Sequence, residues 1–193
     1  MKHFHAMFMF LVICLLLGTS VISAAPIPEG FAGVPWGSSQ AQITQIMGER
    51  NWIKLTTSNP NEEVFKGSFD GKSCELHFVM LGNSFVEGYA FPLVRLPMKN
   101  INFIKQEYES TVKHLTEKYG QPQQTGIVDI YKITYGPTTI WEFVDGVTFD
   151  KYTIRVIQMK EAIWFRDVDG EQLYFTVVYE AVSLRERLKN KDL

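Results

Sequence analysis

Residues 62–80, with the sequence EEVFKGSFDGKSCELHFVM, carry the strongest structural signal in the chain. Apolar and polar residues alternate on both sides of Asp70-Gly71, and an Asp-Gly turn between two alternating segments is typical of a β-hairpin. A two-residue turn pairs residues at equal distances from it, so Lys66 is predicted to lie opposite Glu75 as a favourable cross-strand charge pair. Turn chemistry, alternation and charge pairing therefore predict one register.

This register divides the hairpin into an apolar face and a more polar face, as expected where only one face of a sheet is buried. The apolar face carries Phe65, Phe69, Cys74, Leu76, Phe78 and Met80. The other face carries Lys66, Ser68, Ser73, Glu75 and His77, with Val64 and Val79.

Two helices are predicted outside the hairpin. The first begins at Ser39, which is the N-cap of a capping box with Gln42, and ends with Gly48 as the C′ residue. The second runs from about Asn100 to Tyr119, has one apolar face at helical spacing, and stops at the following glycine and proline. A charged tail, 184–192, is also predicted to be helical.

Further strands are predicted by alternation and by turn residues. They are 51–57 and 84–91 beside the hairpin, then 127–135, 138–144, 151–159, 161–167 and 172–180. The predicted turns of the second group are Gly136-Pro137, Asp145-Gly146 and Asp169-Gly170.

The order of one helix followed by strands occurs twice. This predicts an α+β fold, a two-layer sandwich built from tandem helix-plus-antiparallel-meander repeats. We assign residues 26–93 to the first repeat and 94–193 to the second, and expect the two to pack as one globular unit.

The opening Trp36-Gly37-Ser38-Ser39, the short helix closed by Gly48, and the ending Tyr119-Gly120-Gln121-Pro122 resemble two groups of small exported bacterial proteins. One is the β-lactamase inhibitory protein group, and the other is the SmpA/OmlA group of outer-membrane assembly lipoproteins. The resemblance covers the architecture of Phe31 to Glu180, and it implies the fold and a bias toward protein binding. The chain lacks the lipoprotein cysteine of the second group and the paired disulfide cysteines of the first, so no functional residue is carried over.

Residues 1–25 have the pattern of a secretory signal peptide. The apolar run Ala6 to Leu17 is too short to span a bilayer comfortably, and Ser23-Ala24-Ala25 supplies small residues for cleavage. We expect an exported protein, periplasmic or secreted, that begins at Pro26; an uncleaved anchor is the alternative. Cys14 is not a lipoprotein cysteine, because the residue before it is not small.

Composition excludes several classes of partner. The net charge of −2 gives no electrostatic footprint for nucleic acid. Two cysteines are too few for a disulfide scaffold, and only Cys74 remains after the leader. No second apolar segment reaches spanning length, so we expect no membrane span in the mature chain; the oligomeric state is left open.

No catalytic, cofactor-binding or metal-binding residue is predicted, and no cofactor. Cys74 and His77 lie three apart on a strand and so point to opposite faces, where they cannot share a metal or act as nucleophile and base. His114 lies off the apolar stripe of its helix, and a metal site would need it to converge with His77. The segment Asp167 to Glu171 is interpreted as a β-turn rather than a calcium loop.

The last predicted hairpin is apolar on both faces, unlike the first. Pairing about Asp169-Gly170 places Trp164 with Phe175 on one face and Phe165 with Tyr174 on the other. Either the tail or the other repeat covers the second face, or one of these sets forms an exposed patch that binds a partner.

Three functions remain open. The leading hypothesis is a non-catalytic exported protein that binds another protein or an envelope component through its sheet. The alternative is a carrier of a small ligand with an aromatic-lined pocket, which an enclosed cavity would favour. The third is an enzyme without a familiar motif, which a cleft with convergent acids would favour.

Overall fold

A computed structural model describes residues 26–92, 96–97, 101–130, 133–165 and 168–191 of the chain. For residues 92, 96–97, 101, 104, 127–130, 133–137, 158–165 and 168–175 it describes the backbone and its pairing only. The predicted signal peptide, residues 1–25, lies outside the described residues. Within these ranges, no helix is both long and apolar enough to cross a membrane.

Three helices and eleven strands are described. The helices are α1 (Gln40–Glu49), α2 (Ile101–Tyr119) and α3 (Val182–Lys189). The strands of the first half are β1 (Gly30–Phe31), β2 (Val34–Pro35), β3 (Ile53–Leu55), β4 (Glu62–Phe69), β5 (Lys72–Leu81), β6 (Ser84–Pro92) and β7 (Leu96–Pro97). Those of the second half are β8 (Gln124–Ile130), β9 (Ile133–Val144), β10 (Lys151–Phe165) and β11 (Val168–Glu180).

Strands β3 to β11 form one antiparallel sheet in the described part of the chain. Its order is β3-β4-β5-β6-β11-β10-β9-β8, with β7 pairing on β11. The two groups of strands meet where β6 pairs with β11, from Glu87 opposite Glu180 to Ala90 opposite Val177. The architecture is therefore α+β with a large antiparallel sheet, as predicted.

The β4–β5 hairpin has the predicted register. Phe69 lies opposite Lys72, and Lys66 lies opposite Glu75. Asp70 and Gly71 both have positive φ angles, 52° and 75°, as a two-residue hairpin turn requires. Its predicted apolar face is buried, with Phe69 half-buried at the end of the strand.

Helices α1 and α2 pack on this buried face of the sheet. Their buried side chains, Ile43, Met47, Tyr108, Leu115 and Tyr119, belong to one core with the apolar hairpin residues and with Trp141, Ile154 and Val156 of the second group of strands. The core thus joins both halves of the chain. Phe31 fills the space above Gly88, where a Cβ atom would lie 2.2 Å from the phenylalanine ring, so this position requires glycine.

The first helix begins as predicted and ends later than predicted. The Ser39 side chain and Gln42 form the capping box. Gly48 is not the C′ residue, because the helix continues through Glu49 and Asn51 takes the left-handed conformation with φ 58°. Asparagine tolerates that conformation, which explains why the helix does not need glycine there.

The second half departs from the predicted turns. Gly136-Pro137 lies within β9, and the predicted strands 151–159 and 161–167 are one strand, β10. Asp169-Gly170 lies within β11, where Asp169 pairs with Trp164 and Gly170 with Ile163. The Asp145-Gly146 connection, helix α2 with its terminal Gly120, and the helical tail agree with the prediction.

The hairpin register makes a testable statement about Cys74, which is the only cysteine from Pro26 onward. Burial raises the pKa of this thiol to about 11. Only the thiolate reacts with thiol reagents, so the native chain from Pro26 should react at pH 8 at least ~100-fold more slowly than the urea-unfolded chain. Equal rates, measured by mass spectrometry of maleimide adducts, would show that the register is wrong.

Candidate functional site

The four residues predicted to bind a partner lie in the β10–β11 hairpin. Trp164 and Phe165 are in β10, and Tyr174 and Phe175 are in β11, all among the residues described by backbone alone. Their exposure is therefore not described.

The predicted pairing of these four residues is wrong. Trp164 pairs with Asp169 instead of Phe175, and Phe165 pairs with Val168 instead of Tyr174. The register is fixed elsewhere, by buried pairs such as Ile154 with Tyr179. The observed register differs from the predicted one by an even number of residues, so each side chain stays on the same face of the sheet in both registers. Alternation therefore does not distinguish the two registers, and the buried pairs decide against the Asp-Gly turn.

The hairpin extends beyond its neighbours in the sheet. Strand β9 pairs with β10 only between Lys151 and Ile157, and β6 pairs with β11 only from Val177 onward. Past those points, among the described residues, only the two residues of β7 pair with the hairpin, at Gln172 and Leu173. Among the described residues, the edges of this ribbon therefore have few pairing partners, and unpaired strand edges are ready sites for pairing with another chain.

The cysteine and the histidines do not form a site. Cys74 is buried in the core, and His77 lies on the opposite face of the sheet. His114 is a half-exposed residue of α2, on the core side, with Nδ1 at 3.3 Å from Asp70 Oδ1. The two histidines therefore lie on different sides of the sheet. No group of three or more potential metal ligands comes together in the part of the chain that is described.

His77 belongs to a packed polar cluster with Glu62 and Tyr89. Its Nδ1 donates to Glu62 Oε1 at 2.8 Å, and the Tyr89 hydroxyl donates to the same oxygen. The two rings stack with centroids 4.6 Å apart. Burial raises the pKa of Tyr89, so the phenol stays protonated. The cluster contains no activated nucleophile, and its side-chain contacts link β4, β5 and β6.

A second polar cluster attaches α3 to the same face. Arg185 binds Glu87 and Glu180, with both N···O distances at 2.7 Å. Arg155 of β10 adds a contact to Glu180 at 2.9 Å. These side chains are mostly buried, and each charged group contacts a group of opposite charge within the cluster, as buried charges require. Helix α3, the predicted tail, therefore packs on the sheet at Glu87 and Glu180.

The connection between β9 and β10 is a fixed loop. Asp145 Oδ1 accepts hydrogen bonds from the backbone N–H groups of Val147 and Thr148, at 2.7 and 2.8 Å. These bonds hold the pKa of Asp145 below its usual range. The Phe149 N–H donates to the Asp145 carbonyl at 2.9 Å, which closes the loop.

Helix α3 anchors the far end of this loop. The Arg187 guanidinium binds the Asp150 carboxylate through both of its terminal nitrogens. The Lys151 N–H donates to the Ser183 hydroxyl at 2.9 Å. The loop is therefore held from within by Asp145 and from outside by α3.

Three apolar side chains of this region face solvent. Val147 is 86% exposed, Phe149 is 74% exposed, and Val144 at the end of β9 is 56% exposed. Sequence reasoning used Asp145-Gly146 only as a turn and missed them. A connection that only reverses the chain usually carries polar residues and glycine. The apolar residues of the Val-Thr-Phe segment, between Asp145 and Asp150, were therefore the signal that the sequence offered.

Phe149 also has a strained backbone. Its φ angle is 59°, in the left-handed region that asparagine and glycine occupy easily and that costs a bulky residue on the order of 1–2 kcal/mol. The chain thus keeps an exposed aromatic residue where another residue would be more stable. Strain of this kind concentrates at functional positions.

We therefore predict that Phe149→Asn raises the free energy of unfolding by about 1 kcal/mol, because strain is relieved and little packing is lost. Val147→Asn, two residues away and even more exposed, should change the free energy of unfolding by less than about 0.5 kcal/mol. Urea denaturation measures both. A clear loss of stability in Phe149→Asn would show that the ring packs against the protein.

Comparison with known proteins does not assign this chain to a family. The chain matches no protein-family model, no curated protein and no solved structure. The resemblance drawn from its helix ends therefore stays a prediction, and the functional argument depends on the geometry described above.

Proposed function

We propose that this chain is an exported, non-catalytic protein that binds another protein or a component of the cell envelope. The observation that carries the proposal is the pair Val147 and Phe149, two exposed apolar side chains on a loop that hydrogen bonds and α3 hold in place. The proposed binding surface, called the β9–β10 knob below, consists of Val144, Val147 and Phe149.

Single exposed apolar residues are common on soluble proteins and need no function. Ile53 on the edge strand β3 and Phe103 on α2 are of that kind. The knob differs in two respects: three such side chains occur within six residues, and one of them is an aromatic in a strained conformation. Phe149 costs stability in this conformation, and strain of this kind clusters at functional sites, so a binding role would account for its presence.

A fixed loop favours binding energetically. Association is opposed by the entropy lost when mobile side chains and loops become ordered. The hydrogen bonds of Asp145 and the contacts of Arg187 order the knob before it meets a partner. Aromatic anchors that enter a pocket of a partner supply much of the binding energy in protein interfaces.

The projecting β10–β11 ribbon is the second proposed surface. Trp164, Phe165, Tyr174 and Phe175 occur in it, and its backbone edges, which are largely unpaired within the part of the chain that is described, support a role in partner binding. A two-stranded ribbon is marginally stable alone, so a partner that packs on it would add order. Since β10 has 15 residues, the knob and the ribbon end lie about 50 Å apart along the strand.

The finer organisation is part of the same proposal. One helix precedes the meander β3-β4-β5-β6, and another precedes the meander β8-β9-β10-β11. This order supports two tandem helix-plus-meander repeats in a two-layer arrangement, joined through their last strands, β6 and β11. Export is proposed from residues 1–25, and the mature chain would begin at Pro26 in the periplasm or outside the cell.

The knob can be tested by affinity capture with matched variants. Tagged wild-type protein, Phe149→Asn and Phe103→Asn are incubated with the envelope fraction of the source cells, and captured proteins are quantified by mass spectrometry. We expect one set of proteins to be captured by wild type and by Phe103→Asn, and to fall about tenfold or more with Phe149→Asn, as for loss of an aromatic anchor.

Phe103→Asn is the control because it also removes an exposed ring, from a helix with no strain. If capture by Phe149→Asn equals that by wild type, the knob is not a binding surface. If Trp164→Ala then abolishes capture, the ribbon alone binds the partner. If neither substitution changes capture, protein binding through these surfaces is wrong.

A further inference from the structure

A cleft opens on the helix-bearing side of the sheet, where three elements meet. These are the tip of the β1–β2 ribbon at Ala32-Gly33, the β4–β5 turn at Asp70, and the last turns of α2. Its volume is about 240 Å³. It shares no residue with the β9–β10 knob, so it is a separate candidate for binding.

Part of the cleft wall is apolar, because Phe69, Leu115, Tyr119 and Tyr179 line it. A second, smaller pocket of about 40 Å³ shares Phe69, Asp70 and Thr111 with it and is also lined by Ala90 and Val177. The cleft therefore offers apolar surface to the body of a small molecule beside its polar mouth. Such a combination of an apolar lining with a few polar groups is typical of ligand sites.

Two tyrosines line the cleft. The rings of Tyr119 and Tyr179 meet edge to face with centroids 6.5 Å apart. Burial raises the pKa of Tyr179 well above its usual value. This phenol therefore stays neutral at physiological pH and adds no negative charge to the cleft.

The charges around the mouth are unequal. The Asp70 carboxylate is engaged by His114 Nδ1 at 3.3 Å. Lys118 Nζ lies 5.0 Å from the centre of the Tyr119 ring and has no carboxylate partner among the described residues. Arg50 donates to the Ala32 carbonyl at 2.6 Å, at the tip of the β1–β2 ribbon, and it also has no carboxylate partner among the described residues. Lys118 is therefore the lysine that lines the mouth, Asp70 is its lining carboxylate and already contacts a histidine, and Arg50 lies beside the cleft at Ala32.

We propose that this cleft binds a small organic carboxylate with an aromatic or short aliphatic body. The carboxylate would bind Lys118 at the mouth, because charge-assisted hydrogen bonds are the strongest polar contacts available to it there. The body would lie against Phe69 and Tyr119. This function goes beyond partner binding, and either one can fail without the other.

The size of the cleft limits the ligand. Its volume lies just below the range of about 300–1,000 Å³ that is usual for drug-sized ligands. A molecule of about ten non-hydrogen atoms fits, and benzoate is a suitable probe. For so small a ligand we expect a Kd of about 1 mM.

The test is a titration of the protein with benzoate and with benzamide, a neutral molecule of the same shape, followed by ¹H–¹⁵N NMR. Benzoate should shift the amides of Asp70, Lys118 and Tyr119 and bind at least about tenfold more tightly than benzamide, since only benzoate pairs with the ammonium group. Lys118→Met should weaken benzoate binding by about tenfold, and Lys118→Arg should retain it.

Lys113→Met is the matched control. Lys113 lies on the same helix, is largely exposed and faces Glu117 at 4.0 Å, so its removal should leave benzoate binding unchanged. Equal affinity for benzoate and benzamide would overturn the proposed ligand class. Equal weakening by Lys113→Met and Lys118→Met would show a general effect of charge, and no shift of these amides at 20 mM benzoate, about twenty times the expected Kd, would overturn the site.

Discussion

The structure depends on the pairing of β6 with β11, which joins the two groups of strands into one sheet. At this junction Glu87 and Glu180 lie directly opposite each other. Like charges in that arrangement repel, and both side chains are mostly buried. The junction is stable because Arg185 lies between the two carboxylates, with Arg155 beside Glu180, and compensates their charges.

Two of the proposed functional features follow from this junction. Arg185 belongs to α3, so the helix must pack on the face of the sheet opposite α1 and α2. Two residues along the same helix, Arg187 reaches Asp150 and holds the β9–β10 loop. The same short helix therefore neutralises the centre of the sheet and orders the knob. Helices α1 and α2 lie on the other face of the sheet, and the cleft opens on that face between α2 and the β4–β5 turn.

The sequence predicted well those elements whose signals are local and agree with one another. In the β4–β5 hairpin, the Asp70-Gly71 turn, the alternation and the Lys66–Glu75 pair all specify one register, and the structure has it. The Ser39 cap and the end of α2 at Gly120 are local in the same sense. The opposite faces of Cys74 and His77 followed from the period of a strand alone.

The prediction was wrong where distant contacts decide. Asp169-Gly170 is a strong turn signal, yet it lies within β11, because the buried pairs near Ile154 and Tyr179 set the register of that hairpin. The cleft and the Glu87–Glu180 junction bring together residues far apart in the chain, so no pattern in one segment indicates them. The knob was local, and attention to apolar residues inside a turn would have found it.

The measurement that tests this account most directly compares the urea unfolding of Arg185→Met with that of Arg187→Met. Both substitutions remove an arginine from α3, but Arg185 lies between two mostly buried carboxylates, whereas Arg187 binds Asp150 at the surface. Arg185→Met should lower the free energy of unfolding by about 2 kcal/mol or more, and Arg187→Met by less than about 1 kcal/mol. Adding Glu87→Gln to Arg185→Met should restore part of the loss, since it removes one of the facing charges. Equal effects of the two arginine substitutions, with no recovery from Glu87→Gln, would contradict the claim that this cluster holds the sheet together.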